Sequence, residues 1–265
     1  MDLVNEIHRI GVKKGDTLNL KVSMKSTNVT ANELIAALLE AVGPEGTIMA
    51  ESFIRSYPLR YLRTHKKTSS RFTPSYAGWF ANAMIHYPGS VRSSHPIQRF
   101  TAIGKRANEL MNAHTADSYA YGPLQMLCLT GGKNLNIGKV VGVGTTHVAI
   151  GILGLKQVIP RVGIYQDGEL FKRDWAGGCA VGFGNFKHEY LGCDKIAGAN
   201  CTLSDMHTTL TNELWILSED PSYFMCGKCI DCRYSWEFSP GWKPLNRVML
   251  SLFRTYNYLK WSLTN

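Results

Sequence analysis

One strand–helix–strand unit near the N-terminus limits the possible folds more than any other feature. Thr17 to Met24 alternates, with apolar Leu18, Leu20 and Val22 two residues apart, the spacing of one strand face. Thr30 opens a helical run to Val42, and Glu33 three residues on supplies the second half of a capping box. Gly43-Pro44-Glu45-Gly46 stops that helix, and Thr47 to Phe53 reads as a second strand. Two strands joined through a helix are predicted to pair in parallel by a right-handed crossover. The fold class that follows is α/β, a central mixed and partly parallel sheet flanked by helices.

Further helices are expected over 2–10, 78–86, 104–114, 123–130 and 146–155, and a buried strand over 134–143. After Ile159 the texture changes. Val162 to Trp175 reads as a hairpin turning at Asp167-Gly168, residues 187–220 as short mixed elements, and Leu245 to Leu263 as a basic, aromatic helix. The expected organisation is therefore an α/β core over residues 1–160 and a smaller, irregular C-terminal part over 161–265. The two are expected to pack as one globular unit.

The 265 residues and 45% hydrophobic content suffice for one large domain or two small ones. No apolar run approaches the roughly 20 residues that span a bilayer. The first residues, MDLVNEIHRIGVKKGD, carry charges throughout and lack a signal core, so a cytoplasmic location is expected. The net charge of +9 favours anionic partners, with a locally dense stretch from Arg55 to Arg71.

The seven cysteines are an odd count, which argues against a disulfide framework. Three of them, Cys226, Cys229 and Cys232, fall within seven residues. That spacing suits a zinc-knuckle-like turn, and a tetrahedral ion needs a fourth ligand, for which Cys201 heads Cys193, His188 and His207. An iron–sulfur cluster also uses this spacing, but the ferredoxin continuation is absent, with Trp236 where its cysteine would stand. A metal-free cluster of reduced thiols stays open as well.

Two histidines sit in dense polar surroundings. Arg92-Ser93-Ser94-His95-Pro96 packs a cation, two hydroxyls and an imidazole before a proline. Ser94 and His95 are not a catalytic dyad, because neighbours in a strand point apart, and no G-x-S-x-G elbow exists. His147 follows the strand and glycine turn Val141-Gly142-Val143-Gly144-Thr145-Thr146, at a helix start where backbone N–H groups favour anions. An imidazole there suits a general base, and a buried, hydrogen-bonded histidine is the alternative. The dinucleotide pattern fails, since His147 occupies the place of its third glycine.

In order along the chain, these pieces resemble the aminoglycoside 3-N-acetyltransferase family. The resemblance runs through Gly11-Val12, Gly15-Asp16-Thr17-Leu18, Val22-Ser23-Met24-Lys25-Ser26 and Leu38 to Thr47. It continues through Ser52-Phe53, Thr73-Pro74-Ser75, Pro88 to Pro96, Phe100 with Ala102 and Gly104, Tyr121-Gly122-Pro123-Leu124 and Thr145-Thr146-His147-Val148-Ala149. It covers about residues 1–155, collinearly.

The resemblance implies a CoA-dependent N-acyltransferase with acetyl-CoA as co-substrate and His147 as the catalytic base. It implies that Ser23, Lys25, Ser26, Ser52, Thr73 and Ser75 line the CoA side. Ser94, His95, Arg99, Thr145 and Thr146 would line the acceptor side. Three departures stand out: Ile150 where the family has a glutamate, Gly122 for a serine, and Arg99 for a serine. Aminoglycosides are polycations, whereas this chain is basic and lacks the carboxylate at 150. The expected acceptor is therefore a nucleotide-linked amino sugar, as in surface-polysaccharide biosynthesis, with an aminoglycoside as the alternative. A basic zinc-knuckle nucleic-acid binder is the competing class; on the acyltransferase reading no nucleic acid is a partner.

Overall fold

A computed structural model describes the chain except residues 1, 55–56, 59–67, 139–141, 156–161, 167–168, 174–181, 230–231, 234–235, 237–247, 250–251, 253–255 and 257–265. The basic side chains from Arg55 to Lys67, the Asp167-Gly168 turn, Cys179 and most of the expected tail helix lie outside the described residues.

The opening unit forms as its sequence dictates. Strand β1 (Thr17–Val22) leads through a 3₁₀ turn (Met24–Ser26) to a helix (Ala31–Val42) and then to β2 (Thr47–Glu51). Thr30 caps the helix: its Oγ1 accepts from Glu33 N at 3.3 Å, and Glu33 Oε2 accepts from Thr30 N at 2.8 Å. β1 and β2 pair in parallel, Leu18 beside Ile48 and Leu20 beside Ala50.

β1 also pairs in parallel with a strand at Lys133–Ile137, and this three-stranded parallel centre is flanked by antiparallel strands. On one side stand Phe100–Gly104 and Val91–Arg92; on the other, a hairpin of Gly192–Ile196 and Ala199–Asp205. Among the described residues the sheet has seven strands, so the mixed α/β fold stands. The sheet runs across residue 160, because the 192–205 hairpin extends the same sheet as β1 and β2. A second, smaller sheet joins Tyr57–Pro58 and Thr68–Ser69 to the hairpin at Val162–Gln166 and Glu169–Arg173.

Alternation along the strands divides the core in two. Leu18, Leu20, Ile48, Ala50, Leu135 and Ile137 pack under the helices at Leu3–Arg9, Ala31–Val42 and Trp79–His86. Each such aliphatic side chain contributes about 1.5–3 kcal/mol by leaving water. The opposite face carries Met49, Phe100 and Ala102 under helices at Ala107–Asn112, Gly122–Leu129, Thr145–Ile152 and Met206–Glu219. Period-two alternation sends Asn19, Lys21, Glu51, Asn134 and Asn136 to this second face, where the site lies.

The expected short elements of 187–220 are a strand pair followed by a 14-residue helix. Two of that helix's five buried positions are polar, Thr209 and Glu213, which blurs its apolar stripe. The segment expected as a helix from Gly104 starts later, because Phe100–Gly104 is a strand and Arg106 precedes the first helical turn. No helix among the described residues is long and apolar enough to cross a membrane.

Candidate active site

The site forms at the carboxyl ends of the parallel strands, the usual ligand-binding edge of an open α/β sheet. A ladder of asparagines prepares it. Asn19 Nδ2 donates to Asn134 Oδ1 at 2.7 Å, Asn134 Nδ2 to Asn136 Oδ1 at 2.9 Å, and Asn136 Nδ2 to the Gly142 carbonyl at 3.4 Å. The ladder ties β1 and the 133–137 strand to the glycine turn that launches the Thr145–Ile152 helix. At Gly144 φ is +94°, and an added Cβ would lie 3.2 Å from Leu124 Cδ1 and 3.3 Å from Glu51 Oε1. Only glycine suits that crowded left-handed position.

His147 projects from the first turn of this helix. Its ring stacks on Tyr121 (centroids 4.2 Å apart, 4° between planes) and meets the edge of Phe183 at 4.8 Å. The residue as a whole is only partly covered, yet Nδ1 is shut off from solvent and has no hydrogen-bond partner. Burial, and next the charge of Lys21, pushes the imidazole down to about 3, so it is neutral at pH 7.

Lys21 and Glu51 line an open cleft, and the charge of Lys21 also acts on His147. Lys21 Nζ lies 3.7 Å from Glu51 Oε1, and Glu51 Oε2 accepts from Gln98 Nε2 at 3.1 Å. The cleft, about 400 Å³, is lined by these two charges and by apolar groups including Val22, Phe53, Tyr76 and Phe80. Its size fits a small ligand or the end of a long one. His188 belongs to the same neighbourhood: burial and Lys21's charge lower its pKa, and its Nε2 is buried without a partner.

The expected contacts divide sharply. Ser23 is half-buried, and Lys25 and Ser26 are exposed, all just past the end of β1. Ser75 supports the cleft wall from behind: its Oγ donates to the Phe53 carbonyl at 3.1 Å and accepts from Ala77 N at 3.0 Å. Thr73 Oγ1 accepts from Ser70 N at 2.7 Å, which rounds a turn. Ser94 is exposed, but its neighbours are not.

Ser52, expected on the CoA side, is fully buried and instead bonded by Thr101 Oγ1 at 2.9 Å and Arg92 Nε at 3.2 Å. His95 is 2% exposed, stacked on His114, and its Nδ1 accepts from Ile97 N and Gln98 N at 3.2 and 2.9 Å. Arg99, expected to meet an anionic acceptor, is 1% exposed and donates to His95 O, Ser70 O and Ser69 Oγ. Thr145 and Thr146 are likewise sealed in the helix interface. For Ser52, His95 and Arg99 the polar atoms meet protein groups, because backbone carbonyls and amides from distant turns converge there, and Thr146 Oγ1 donates to Glu213; Thr145 Oγ1 is buried with no hydrogen-bond partner.

One carboxyl group escaped the sequence reading. Glu213, on the Met206–Glu219 helix, is 1% exposed and accepts from Thr146 Oγ1 at 2.7 Å. Burial pushes it up to about 7. Ile150 is buried apolar, so a carboxyl group reaches this helix from another element rather than from position 150.

The cysteines also sort themselves. Cys226, Cys229 and Cys232 place their sulfurs within 4.8 Å of one another. Cys201, expected as their fourth partner, is elsewhere: it lies in the Ala199–Asp205 strand, in the core that the Leu3–Arg9 and Ala31–Val42 helices share, and its Sγ donates to Ala199 O at 3.2 Å. The alternation of that strand buries Cys201 in the sheet's first face, away from the cluster. His207 Nδ1 lies 3.3 Å from the Cys128 carbonyl, and Cys193 is exposed.

A family model described as aminoglycoside 3-N-acetyltransferase matches residues 21–154, about half of the chain. Among curated relatives, aminoglycoside N(3)-acetyltransferase III of Salmonella sp. is 29% identical over 155 residues, covering 51% of this chain and 54% of that protein. The type VIII enzyme of Streptomyces fradiae is also 29% identical, over 156 residues, with the same coverage. The chain thus spans about half the length of the curated relatives it matches. Similar solved structures include AAC-VIa bound to sisomicin, with a TM-score of 0.69, 23% identity, and 82% of this chain and 96% of that one covered. Another is AAC-IIIb in binary complex with CoASH, with a TM-score of 0.67, 20% identity, and coverage of 82% and 95%. At these identities the structures support a shared fold.

Proposed function

The chain belongs to the aminoglycoside 3-N-acetyltransferase family, and from that premise we propose that it transfers an acetyl group from acetyl-CoA to an amine of an aminoglycoside-type acceptor. The observation that carries the reading is the enclosed, neutral imidazole of His147, with a bare Nδ1, beside a cleft at the carboxyl ends of β1 and β2.

In this reading the acceptor amine attacks the thioester carbonyl, and a tetrahedral centre forms. The nitrogen becomes far more acidic as its bond to carbon forms, and His147 takes its proton at that stage rather than from the free amine. Collapse expels the CoA thiolate, which takes the proton from the His147 imidazolium, so the thiol leaves and the imidazole returns to its neutral form. His147 must enter this step neutral, and burial keeps it so. In this reading Lys25 and Ser26, exposed in the turn after β1, hold the anionic co-substrate, and a polyanionic CoA accounts for part of the +9 charge.

The acceptor reading moves away from a nucleotide-linked sugar. That expectation rested on the basic charge and on Ile150 in place of a carboxylate, with Arg99 as the candidate anion contact, and Arg99 spends its donors on carbonyls inside the protein. Glu51 supplies a carboxylate at the cleft, with a buried Oε1 beside Lys21, and suits an ammonium of a cationic acceptor.

The test is CoA thiol release by the purified full chain with acetyl-CoA and, in separate reactions, sisomicin and a UDP-linked amino sugar. Release with sisomicin and a mass gain of one acetyl group are expected. Turnover with the UDP-sugar alone would overturn the acceptor, and absence of both turnover and CoA binding would overturn the activity.

A further inference from the structure

We propose that Cys226, Cys229 and Cys232 form a three-thiolate site for a single zinc ion, and that this ion staples the aromatic wall behind His147. The sulfur geometry comes first. Cys226 Sγ and Cys232 Sγ are 3.7 Å apart. A disulfide would bring them to about 2.05 Å. Two thiolates on one tetrahedral zinc, each at about 2.3 Å, stand about 3.8 Å apart. All three sulfurs lie within 4.8 Å of one another. That is too close for each to hold a separate iron of a cluster and close enough to share one ion.

The surrounding amides are the second, independent observation. Cys229 N donates to Cys226 Sγ at 3.3 Å, Cys232 N to Cys229 Sγ at 3.4 Å, and Cys226 N to Cys232 Sγ at 3.3 Å. The three bonds close a ring in which every sulfur receives an N–H. A neutral thiol is a weak acceptor, whereas a thiolate gains from each such donor. Three thiolates around one divalent ion leave a net charge of −1, and the knuckle carries Lys228 and Arg233 to offset it. Among the described residues these three cysteines are the group whose ligand atoms come together.

The same segment reaches the candidate active site through aromatic contacts. Phe224 meets Trp236 edge-on at 4.8 Å and Phe183 at 6.1 Å, and Phe183 abuts His147. Gly182 presses its backbone against this segment; a Cβ there would fall 1.7 Å from the Phe224 carbonyl oxygen and 3.1 Å from Cys226 N. Fixing Cys226 to Cys232 therefore fixes Phe224, and through it the ring that flanks the imidazole.

The experiment uses the full chain purified without chelator. Elemental analysis is expected to find about one zinc per chain, with cysteines 226, 229 and 232 slow to react with a thiol reagent until a chelator is added. Chelation is expected to lower the thermal midpoint. Cys229→Ser is expected to lose the zinc, and Cys201→Ser to keep it. Should Cys229→Ser fail to fold, chelator-dependent thiol reactivity of the wild-type chain decides alone. Metal-free protein whose thiols react equally with and without chelator would overturn the site. So would an iron chromophore, a Cys226–Cys232 disulfide, or zinc lost from Cys201→Ser.

Discussion

His95 and His147 are each stacked face to face on another ring, yet their nitrogens are treated in opposite ways. His95 lies flat on His114, and its Nδ1 accepts two backbone N–H groups. His147 lies flat on Tyr121, and its Nδ1 is buried with no partner. A satisfied imidazole holds a turn; an enclosed and unsatisfied one costs stability and is retained where it reacts. The polar cluster from Arg92 to Arg99 is accordingly a brace. Arg92 donates to the carbonyls of Ser52, Arg71 and Thr73, and Arg99 to those of His95 and Ser70. Together they clamp the 69–75 turn onto the end of β2, which shapes the cleft wall. Burial, and next the charge of Arg99, brings Arg92 down to about 9.

The widest gap between the two histidines should appear in catalysis. His147→Asn is expected to lower kcat/KM for acetyl transfer by about 10²–10⁴-fold while leaving the thermal midpoint at or above the wild-type value. Comparable activity in the variant would remove His147 from the chemistry.

The brace should respond in stability instead. Arg92→Met strands several buried carbonyls and is expected to cost about 3 kcal/mol in urea unfolding. The variant's KM for the acceptor should stay near wild type at temperatures where it is folded. A large KM change with no stability loss would make the cluster a binding surface after all.

Glu213 gives a pH-dependent test with a definite sign. Its folded value near 7 lies above the ordinary 4.5. The folded chain therefore holds a proton that the unfolded chain has lost, and stability falls as pH rises from about 4.5 to about 7. Glu213→Gln keeps an acceptor for Thr146 and removes this loss. It is expected to stabilise the protein by about 2 kcal/mol at pH 8 and to change little at pH 4. His147 and His114, pushed down to about 3 and about 4, act in the other direction. The unfolded chain gains their protons first, so stability falls as pH drops below about 6.5, by up to about 1.4 kcal/mol per unit for each. Equal stabilities of Glu213→Gln and wild type at pH 8 would show that the carboxyl is not held in its buried site.

The smallest expected effect is at His95. His95→Gln can offer an oxygen to the amides of Ile97 and Gln98 but loses the stack on His114. A cost of about 1 kcal/mol and an unchanged kcat are expected from unfolding and turnover measurements.

These contrasts also mark where the sequence could be read and where it could not. The Thr30–Glu33 capping box and the alternation of Leu18 and Leu20 are local signals, and both the helix and the parallel pair appeared where expected. The place of His147 in the first turn of a helix was legible because a glycine turn before a helix start is local too. The fates of Ser52, His95 and Arg99 were not, because they depend on which distant carbonyls and amides arrive beside them. Adjacency in sequence made Arg92 to Pro96 resemble a site; the 69–73 backbone made it a brace. The asparagine ladder was missed for a related reason. Asn19 reads as the solvent side of an alternating strand, and only the second helical layer makes that side a buried one. Glu213 sits in a helix whose stripe includes threonine and glutamate, so periodicity gave no signal for it.

The most direct test of the central claim is an NMR titration of the histidine ring protons, with His147 assigned by its disappearance in His147→Asn. The imidazole of His147 should remain neutral from pH 8 down through pH 5, well below the ordinary value of about 6.5. A ring that takes up its proton near 6.5 or higher would contradict the enclosed, neutral base on which the proposed reaction rests.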